Sequence, residues 1–251
     1  MEKKFKNVNK LIMTTVAILL TLVLVSTSLV SGIFAKYVVT KDATTVVSLK
    51  KFGVKLQLLK GEDFTTSGAQ ISSGATNDDN TASLTATVTV QLVPSATIYD
   101  EIIKFVVSKD GTPSVTTNIK VKAEVTELSG NSYNSNFYVP AEFYVNKTAV
   151  NVAFSSNANN ETLKTNLLGS INGGIKTALS LNADASATNG FFTKQIATAN
   201  STSNLTVSSI SFGVSCPFTS SVADADKMIT QLAEQEATVK IKYTVSLEQA
   251  S

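Results

Sequence analysis

The stretch VKIKYTVSL, Val239–Leu247, alternates apolar and polar residues without interruption. Its odd-numbered positions are all apolar, and the positions between them hold lysine, threonine and serine. Successive side chains of a β-strand point to opposite faces of a sheet, so a period of two indicates one face in a core and one in water. The stretch therefore predicts a half-buried β-strand.

The same alternation recurs twice earlier in the chain. It occupies LTATVTVQL, Leu84–Leu92, and IKVKAEVT, Ile119–Thr126. Less regular runs rich in β-branched and aromatic residues add further candidate strands. About seven strands joined by polar connections are typical of two antiparallel sheets packed face to face, so we predict an all-β sandwich. The additional candidates are Val46–Leu59, Glu101–Ser108, Phe137–Phe154 and Leu205–Val214.

The segments between the candidate strands carry turn chemistry. Lys109–Pro113 holds an Asp-Gly pair followed by Thr-Pro, a combination that marks a tight turn. Ser67–Asn80 and Asn182–Ser203 are rich in small polar residues. Because such residues favour turns over ladders, we expect both segments to be exposed loops.

Two segments have helical spacing instead. Glu161–Ser180 repeats leucine or isoleucine every three or four residues, although Gly173 and Gly174 weaken its middle. Asp224–Ala237 begins with an aspartate that can cap a helix and continues with apolar residues on one face. We expect one or two short helices inserted at the rim of the sandwich.

Composition excludes several functions. The 251-residue chain has a net charge of +2, and all 21 of its basic residues are lysines. A near-neutral surface without arginine argues against nucleic-acid binding. The chain has no histidine, which removes the Ser-His-Asp and Cys-His arrangements and nearly every catalytic zinc site. We therefore predict no enzyme, no catalytic residue and no cofactor, and expect the single cysteine, Cys216, to be a small buried residue.

The first 35 residues read as a targeting segment. Four lysines lie within residues 1–10, and residues 11–35 carry no charge. Positive charge followed by an apolar run is the pattern of a secretory signal. The run is also long enough to span a bilayer, which needs about 20 apolar residues. The positive-inside rule keeps the lysines in the cytoplasm, so both interpretations send residues 36–251 outside the cell.

The bond between Ala35 and Lys36 separates the two interpretations. VSGIFA, Val30–Ala35, ends in a small residue before a charge, which suits cleavage by a signal peptidase after Ala35. Ile33 lies three residues before that bond and is bulkier than the usual residue there. Cleavage after Ala35, cleavage a few residues earlier and a retained anchor therefore stay open. We expect residues 1–35 to be a signal peptide or membrane anchor and residues 36–251 to be one extracellular domain.

Three blocks of the sequence carry a family resemblance. They are GIFAKYVVTKDAT, Gly32–Thr44; LVPSATIYDEIIKFVVSKDGTPSV, Leu92–Val115; and the C-terminal block Ser209–Gln249. Together these blocks resemble the TasA–camelysin family of secreted bacterial surface and biofilm-matrix proteins. The resemblance implies a jelly-roll-like sandwich, export, and removal of the signal by a dedicated peptidase. It also implies assembly into extracellular fibres through an N-terminal strand donated to the next subunit.

The segment after the junction has a composition that suits donation. Lys36–Leu49 contains β-forming residues and neither proline nor glycine. An unpaired sheet edge gains main-chain hydrogen bonds when an extended segment from a neighbour adds to it, and a head-to-tail contact of this kind propagates into a filament. The alternative is that Lys36–Leu49 is the first strand of its own sandwich. The residues of the predicted donor strand are Tyr37, Val38, Val39, Val46, Val47 and Leu49.

Three functional interpretations follow. The favoured one is an exported structural protein that self-assembles into fibres; its partners are further copies of the chain, a signal peptidase and, before cleavage, the membrane around residues 11–35. The second is a monomeric, membrane-tethered domain that binds a partner at the cell surface. The third, raised by the camelysin resemblance, is a secreted protease.

The sequence contains few residues that could form the metal site of a protease. Without histidine, a metal site would need carboxylates, which suit Ca²⁺ better than Zn²⁺. The acidic clusters at Asn77–Asn80 and at Asp224 and Asp226 do not have EF-hand spacing. We interpret the first as a solvated turn and the second as a helix cap, and we predict no metal site.

Overall fold

The computed structural model describes most of the chain after residue 44, and the described residues belong to one compact unit, Ala43–Ser251. Several sequence predictions lie outside the described residues: the bond between Ala35 and Lys36, Cys216 and the helix predicted at Asp224–Ala237. The described ranges are 45–49, 53–65, 67, 69–77, 81–91, 96–129, 142–150, 160–215 and 238–250.

Eleven strands and one helix make up the described part of the chain. The helix, α1, is Asn160–Ala178, which confirms the helix predicted at Glu161–Ser180. The strands are β1 Thr45–Leu49, β2 Val54–Lys60, β3 Gln70–Asn77, β4 Thr81–Gln91, β5 Ile103–Lys109, β6 Thr117–Ser129, β7 Glu142–Val145, β8 Thr148–Val150, β9 Phe192–Ala197, β10 Ser209–Ser215 and β11 Thr238–Gln249.

The strands form two antiparallel sheets packed as a sandwich, as predicted. One sheet has the order β1-β2-β5-β10-β7-β8, and the other has the order β3-β4-β11-β6-β9. The chain crosses between the sheets in the successions β4-β5-β6 and β9-β10-β11. Repeated crossing of this kind is the connectivity of a jelly roll, so the fold is a jelly-roll-like sandwich.

The three alternating stretches form the middle of the five-stranded sheet. β11 pairs with β4 on one side and β6 on the other along nearly its whole length. The apolar residues of the opening stretch are all buried, and the residues between them are less so. This strand is therefore the central strand of its sheet, and one of its faces lies in the core.

A β-bulge shifts the phase of the alternation in β6. Ile241 lies opposite Val125, but Lys240 lies opposite Glu127, so Thr126 is the extra residue. Its hydroxyl donates a hydrogen bond to the carbonyl oxygen of Lys240 at 3.1 Å. Beyond the bulge the core-facing residue is Leu128, which continues the buried face that a strict period of two would have lost.

An aromatic contact joins the two sheets. The ring of Phe212 in β10 stacks on that of Tyr243 in β11, with centroids 3.9 Å apart and planes inclined by 22°. Phe105 in β5 meets Phe212 edge-on at 6.3 Å. These buried rings join the two sheets between β10 and β11, and aromatic side chains of this size each bury a large apolar area.

Helix α1 covers the side of the sandwich at β6, β7 and β8. Its buried residues recur every four positions, at Leu163, Leu167, Ile171 and Ile175, and Leu179 continues this spacing just after the helix. A Cβ atom on Gly174 would lie 2.6 Å from Val150 Cγ1 and 2.7 Å from Val145 Cγ2. The glycine that weakens the helix by propensity is therefore the one that lets it approach the β7–β8 hairpin closely.

Two segments predicted to be loops contain strands. β3 lies within Ser67–Asn80 and pairs with β4, and β9 lies within Asn182–Ser203 and pairs with β6. Residues 72–76 of β3 are all exposed, and the segment has no apolar alternation. Its strand conformation comes from the neighbouring strand rather than from its own composition, so the loop predictions were wrong at these positions.

Two predicted strands are hairpins. The first, Val46–Leu59, holds β1 and β2. Gly53, the residue just before β2, has a φ of +60°. The second, Phe137–Phe154, contains β7 and β8, joined by Asn146 and Lys147 with φ values of 49° and 61°. Positive φ at both central residues matches the right-handed twist of a two-residue hairpin.

The close approach of α1 to the hairpin can be tested at two glycines. Gly174→Ala should destabilise the fold by about 1–3 kcal/mol, because the new methyl group overlaps two valines. Gly169→Ala is the matched control, since a Cβ there meets nothing within 4 Å and alanine favours a helix by up to about 1 kcal/mol. Denaturant unfolding measures both variants. Equal stability of the two would contradict the packing described for α1.

Candidate assembly site

The structure divides the predicted donor strand into two parts. Val46, Val47 and Leu49 lie in β1, whereas the first part of the segment, which holds Tyr37, Val38 and Val39, lies outside the described residues. β1 is at one end of the six-stranded sheet, and β8 is at the other. The candidate site therefore consists of the sheet edge at β1, the chain that leads into it, and the opposite edge at β8.

β1 pairs with its own chain. It runs antiparallel to β2, with Val46 opposite Gln57 and Val47 opposite Leu56. Leu56 is fully buried, so β1 extends the sheet beside a core-lining strand. Within the described residues β2 is its one ladder partner, although β1 also contacts β3 and β4 of the other sheet. Residues 45–49 are thus the first described strand and pair within their own chain, as the alternative interpretation of Lys36–Leu49 expected for this part of the segment.

The predicted turn at Lys109–Pro113 fixes the start of β2. The amide of Asp110 donates to the carbonyl oxygen of Gly53 at 2.9 Å. A Cβ on Gly53 would lie 2.8 Å from the carbonyl oxygen of Thr112, and φ at Gly53 is +60°. Only glycine fits this left-handed conformation beneath another backbone at low cost. The β1–β2 hairpin therefore has one end anchored on the β5 side of the sheet.

Main-chain bonds hold the other end of β2. The amide of Gly61 donates to the carbonyl oxygen of Ile102 at 2.8 Å, and the amide of Ile102 donates to that of Phe212 at 2.8 Å. The carboxylate of Asp63 accepts the amide of Glu101 at 2.9 Å, and the amide of Asp63 donates back to the carbonyl oxygen of Glu101 at 3.1 Å. These bonds tie the chain after β2 to β10 through residues 101 and 102.

A group of charged side chains surrounds these bonds. Glu101 is buried and pairs with Lys104 at 3.2 Å. Lys147, in the β7–β8 turn, lies 2.8 Å from Glu62 and 4.0 Å from Asp100. The Lys147–Glu62 pair is exposed and contributes little to stability in water. The arrangement links neighbouring loops through ion pairs.

Asp100 is the unfavourable charge in this group. Burial raises the pKa of its carboxyl above the ordinary value for an aspartate, and Lys147 opposes that rise. The carboxylates of Asp63, Glu101 and Glu62 repel it and raise the pKa further. In the parts of the chain that the structure describes, no cluster of His, Cys, Asp or Glu is arranged to hold a metal ion.

The edge at β8 is a feature that sequence reasoning missed. Asn146 adopts a left-handed conformation, its amide donates to the carbonyl oxygen of Ser211 at 2.9 Å, and its side-chain oxygen accepts the amide of Ser211 at 2.8 Å. The hairpin is thereby fastened to β10. The signal was present in the sequence, because an asparagine between two β-forming runs favours a two-residue hairpin turn.

Comparisons of the chain with known protein families, curated proteins and solved structures return no match. Across the described ranges, no helix combines the length and apolar character needed to cross a membrane.

The position of β1 at a sheet edge predicts that its backbone amides are less protected from hydrogen exchange than those of the central strand β11. Amides of β1 should exchange with deuterium at least about tenfold faster than those of β11, because among the described strands β1 has one ladder partner and β11 has two. Hydrogen exchange read by mass spectrometry measures this, with β11 as the internal reference. Equal protection of β1 and β11 would show that the edge strand does not open independently.

The half-buried carboxylate of Asp100 predicts a pH-dependent gain in stability when it is replaced by an amide. A raised folded-state pKa means that stability present below the unfolded pKa is lost as pH rises through the folded pKa. Asp100→Asn should therefore raise Tm at pH 7 by roughly 1–2 °C, with the gain disappearing near pH 3. Exposed Asp184→Asn is the control. A gain in Tm that is independent of pH would rule out the charge as its cause.

Proposed function

We propose that this protein is an exported structural protein of the cell surface or extracellular matrix that assembles into fibres by donating its N-terminal segment to the next subunit. Its partners are further copies of the same chain. The part of the chain before the assembly site is the apolar segment 11–35, which a signal peptidase removes after Ala35. Its role is structural rather than catalytic.

The observation that carries the proposal is the position of β1. It is an edge strand with one ladder partner within the described residues, and it directly follows the remaining β-forming half of the predicted donor segment. Chain that leaves a sheet at its edge can reach a neighbour without unfolding the core. An apolar leader would hold that chain at the membrane, and its removal would release it.

The two ends of the six-stranded sheet support a head-to-tail contact. The donor segment enters at the β1 end, and the β8 end has no further strand in the described residues. A contact between two different surfaces of identical subunits generates an open filament unless its rotation closes a ring. Main-chain hydrogen bonds along an added strand provide affinity that depends little on side-chain chemistry.

Deletions separate this proposal from the monomeric, membrane-tethered domain. Protein exported from cells that express the full chain should form fibres visible by electron microscopy. Removal of Lys36–Leu49 should abolish the fibres and leave a soluble but less stable sandwich, since β2 loses one of its two ladder partners. Removal of residues 36–44 alone should abolish fibres without that loss of stability.

Mass spectrometry of the exported protein supplies the control, because a mature N-terminus at Lys36 is expected. Persistent monomers from the parent chain under all conditions, or a chain that retains residues 1–35 at the cell surface, would favour the tethered monomer.

A further inference from the structure

A cavity of about 140 Å³ lies between the last residue of β5 and the loop that follows β9, residues 198–208. It is smaller than the roughly 300–1,000 Å³ that is usual for sites of drug-sized ligands, so it suits one small chemical group. Lys109 is the one charged residue among the described residues that line it. Four hydroxyl side chains and two side-chain amides make up the rest of its polar lining, and none of these lining residues is acidic.

Hydrogen bonds hold this loop near both of its ends. The amide of Asn200 donates to the carbonyl oxygen of Pro113, in the turn after β5, at 2.7 Å. The hydroxyl of Thr206 donates to the carbonyl oxygen of Gln195, in β9, at 2.8 Å. Because the loop is already fastened to its surroundings, little of it has to be ordered when a ligand enters the cavity.

The ammonium group of Lys109 has no carboxylate partner in the described part of the chain. Eight ion pairs of 4.0 Å or less occur there, and none includes this lysine. Its half-buried side chain donates to the carbonyl oxygen of Ser201 at 3.3 Å. An ammonium group has three N–H donors, so two remain for a ligand. Asp110, the next residue in the chain, is exposed and does not line the cavity.

The loop adds further donors to the lining. The hydroxyl oxygen of Ser201 accepts the amide of Ser203 at 3.2 Å, which leaves the hydroxyl hydrogen of Ser201 to donate. The exposed side chains of Ser203 and Asn204 supply one O–H and two N–H groups. A group held in the cavity therefore meets hydrogen-bond donors and one positive charge, and no lining carboxylate repels it.

The positive charge and the donors suit a phosphate group. Phosphate is negatively charged and presents several strong acceptor oxygens. Lysine binds phosphate as a point charge, whereas the paired oxygens of a carboxylate are matched best by the planar fork of arginine, which this chain lacks. A water molecule takes about 30 Å³ in the liquid, so the cavity has room for a phosphorus atom and its four oxygens.

We propose that this cavity binds a phosphate group. The ammonium group of Lys109 supplies the charge, and the hydroxyl and amide groups of Ser201, Ser203 and Asn204 orient the phosphate oxygens. The group belongs either to free phosphate or to the phosphodiester chain of an extracellular polymer, because both present the same charged oxygens. The proposal does not depend on fibre formation, so the two can fail separately.

Calorimetric titration of the exported protein with inorganic phosphate tests the site, with chloride used to keep the ionic strength constant. We expect one phosphate per chain with a Kd on the order of 1 mM. Lys109→Met should weaken binding at least about tenfold, because it removes the charge from the cavity. Lys55→Met is the matched control: it removes the same charge from a half-buried lysine of the neighbouring strand β2, outside the cavity, and should bind phosphate as the parent does.

A charge reversal in the loop tests the donors separately. Asn204→Asp is nearly isosteric and places a carboxylate in the lining, so it should also weaken binding at least about tenfold. Asn166→Asp, on the exposed face of α1, is its control. The Tm of every variant without phosphate should stay within about 2 °C of the parent, which separates lost binding from lost folding.

The comparison of probes then distinguishes the two sources of the group. Tighter binding of a soluble poly(glycerol phosphate) than of inorganic phosphate would support the site and identify a phosphodiester polymer as its ligand, and the reverse order would support free phosphate. Hydrogen exchange should slow on phosphate addition at residues 198–208. Binding by Lys109→Met that is as tight as binding by the parent, protection confined to other segments, or no binding by the parent well above the expected Kd would overturn the proposal.

Discussion

The double pairing of β11 is the constraint on which the rest of the structure depends. This strand lies between β4 and β6, and its buried face meets the six-stranded sheet through the stack of Tyr243 on Phe212. Its backbone groups are satisfied on both sides, so the middle of the five-stranded sheet has no free edge. The bulge at Thr126 keeps the buried faces of β6 and β11 in phase where a plain ladder would have turned Leu128 outward.

Because the central strands are paired on both sides, the backbone groups that an added strand could pair with lie on the edge strands of the two sheets. Within the described residues, β1 and β8 are the two edges of one sheet, and they differ in their surroundings. β1 is fastened through β2, which is anchored at Gly53 by the turn at residues 110–113. β8 lies beside a helix that contacts it at Gly174 and leaves space at Gly173. Under the proposed function, an extended segment of a neighbouring copy would pair with an edge strand, and the subunit would not have to unfold in order to assemble.

The central strands and the helix could be predicted from sequence because burial on one face leaves a period of two or of about four. The strand β3 could not, since its exposed residues have no apolar alternation and it pairs along β4. The strand β9 was missed because its buried residues Phe192 and Ile196 lie within a segment rich in small polar residues. In the candidate site, the β-forming residues of β1 were predictable. Its pairing with β2 was not, because Val46–Leu59 has the composition of one continuous strand although it holds two strands of a hairpin. The sequence also could not show that Gly174 packs against the β7–β8 hairpin while a Cβ on Gly173 would meet no other atom within 4 Å, because this difference depends on tertiary packing.

The central claim is that strands are shared between copies of this chain, and a helical reconstruction of its fibres by cryo-electron microscopy tests it most directly. The account predicts density for residues 36–44 of one subunit as a strand paired with another subunit, while residues 45–49 remain paired with β2 of their own chain. Filaments in which every strand of a sandwich comes from a single chain, with subunits touching through side chains alone, would contradict it.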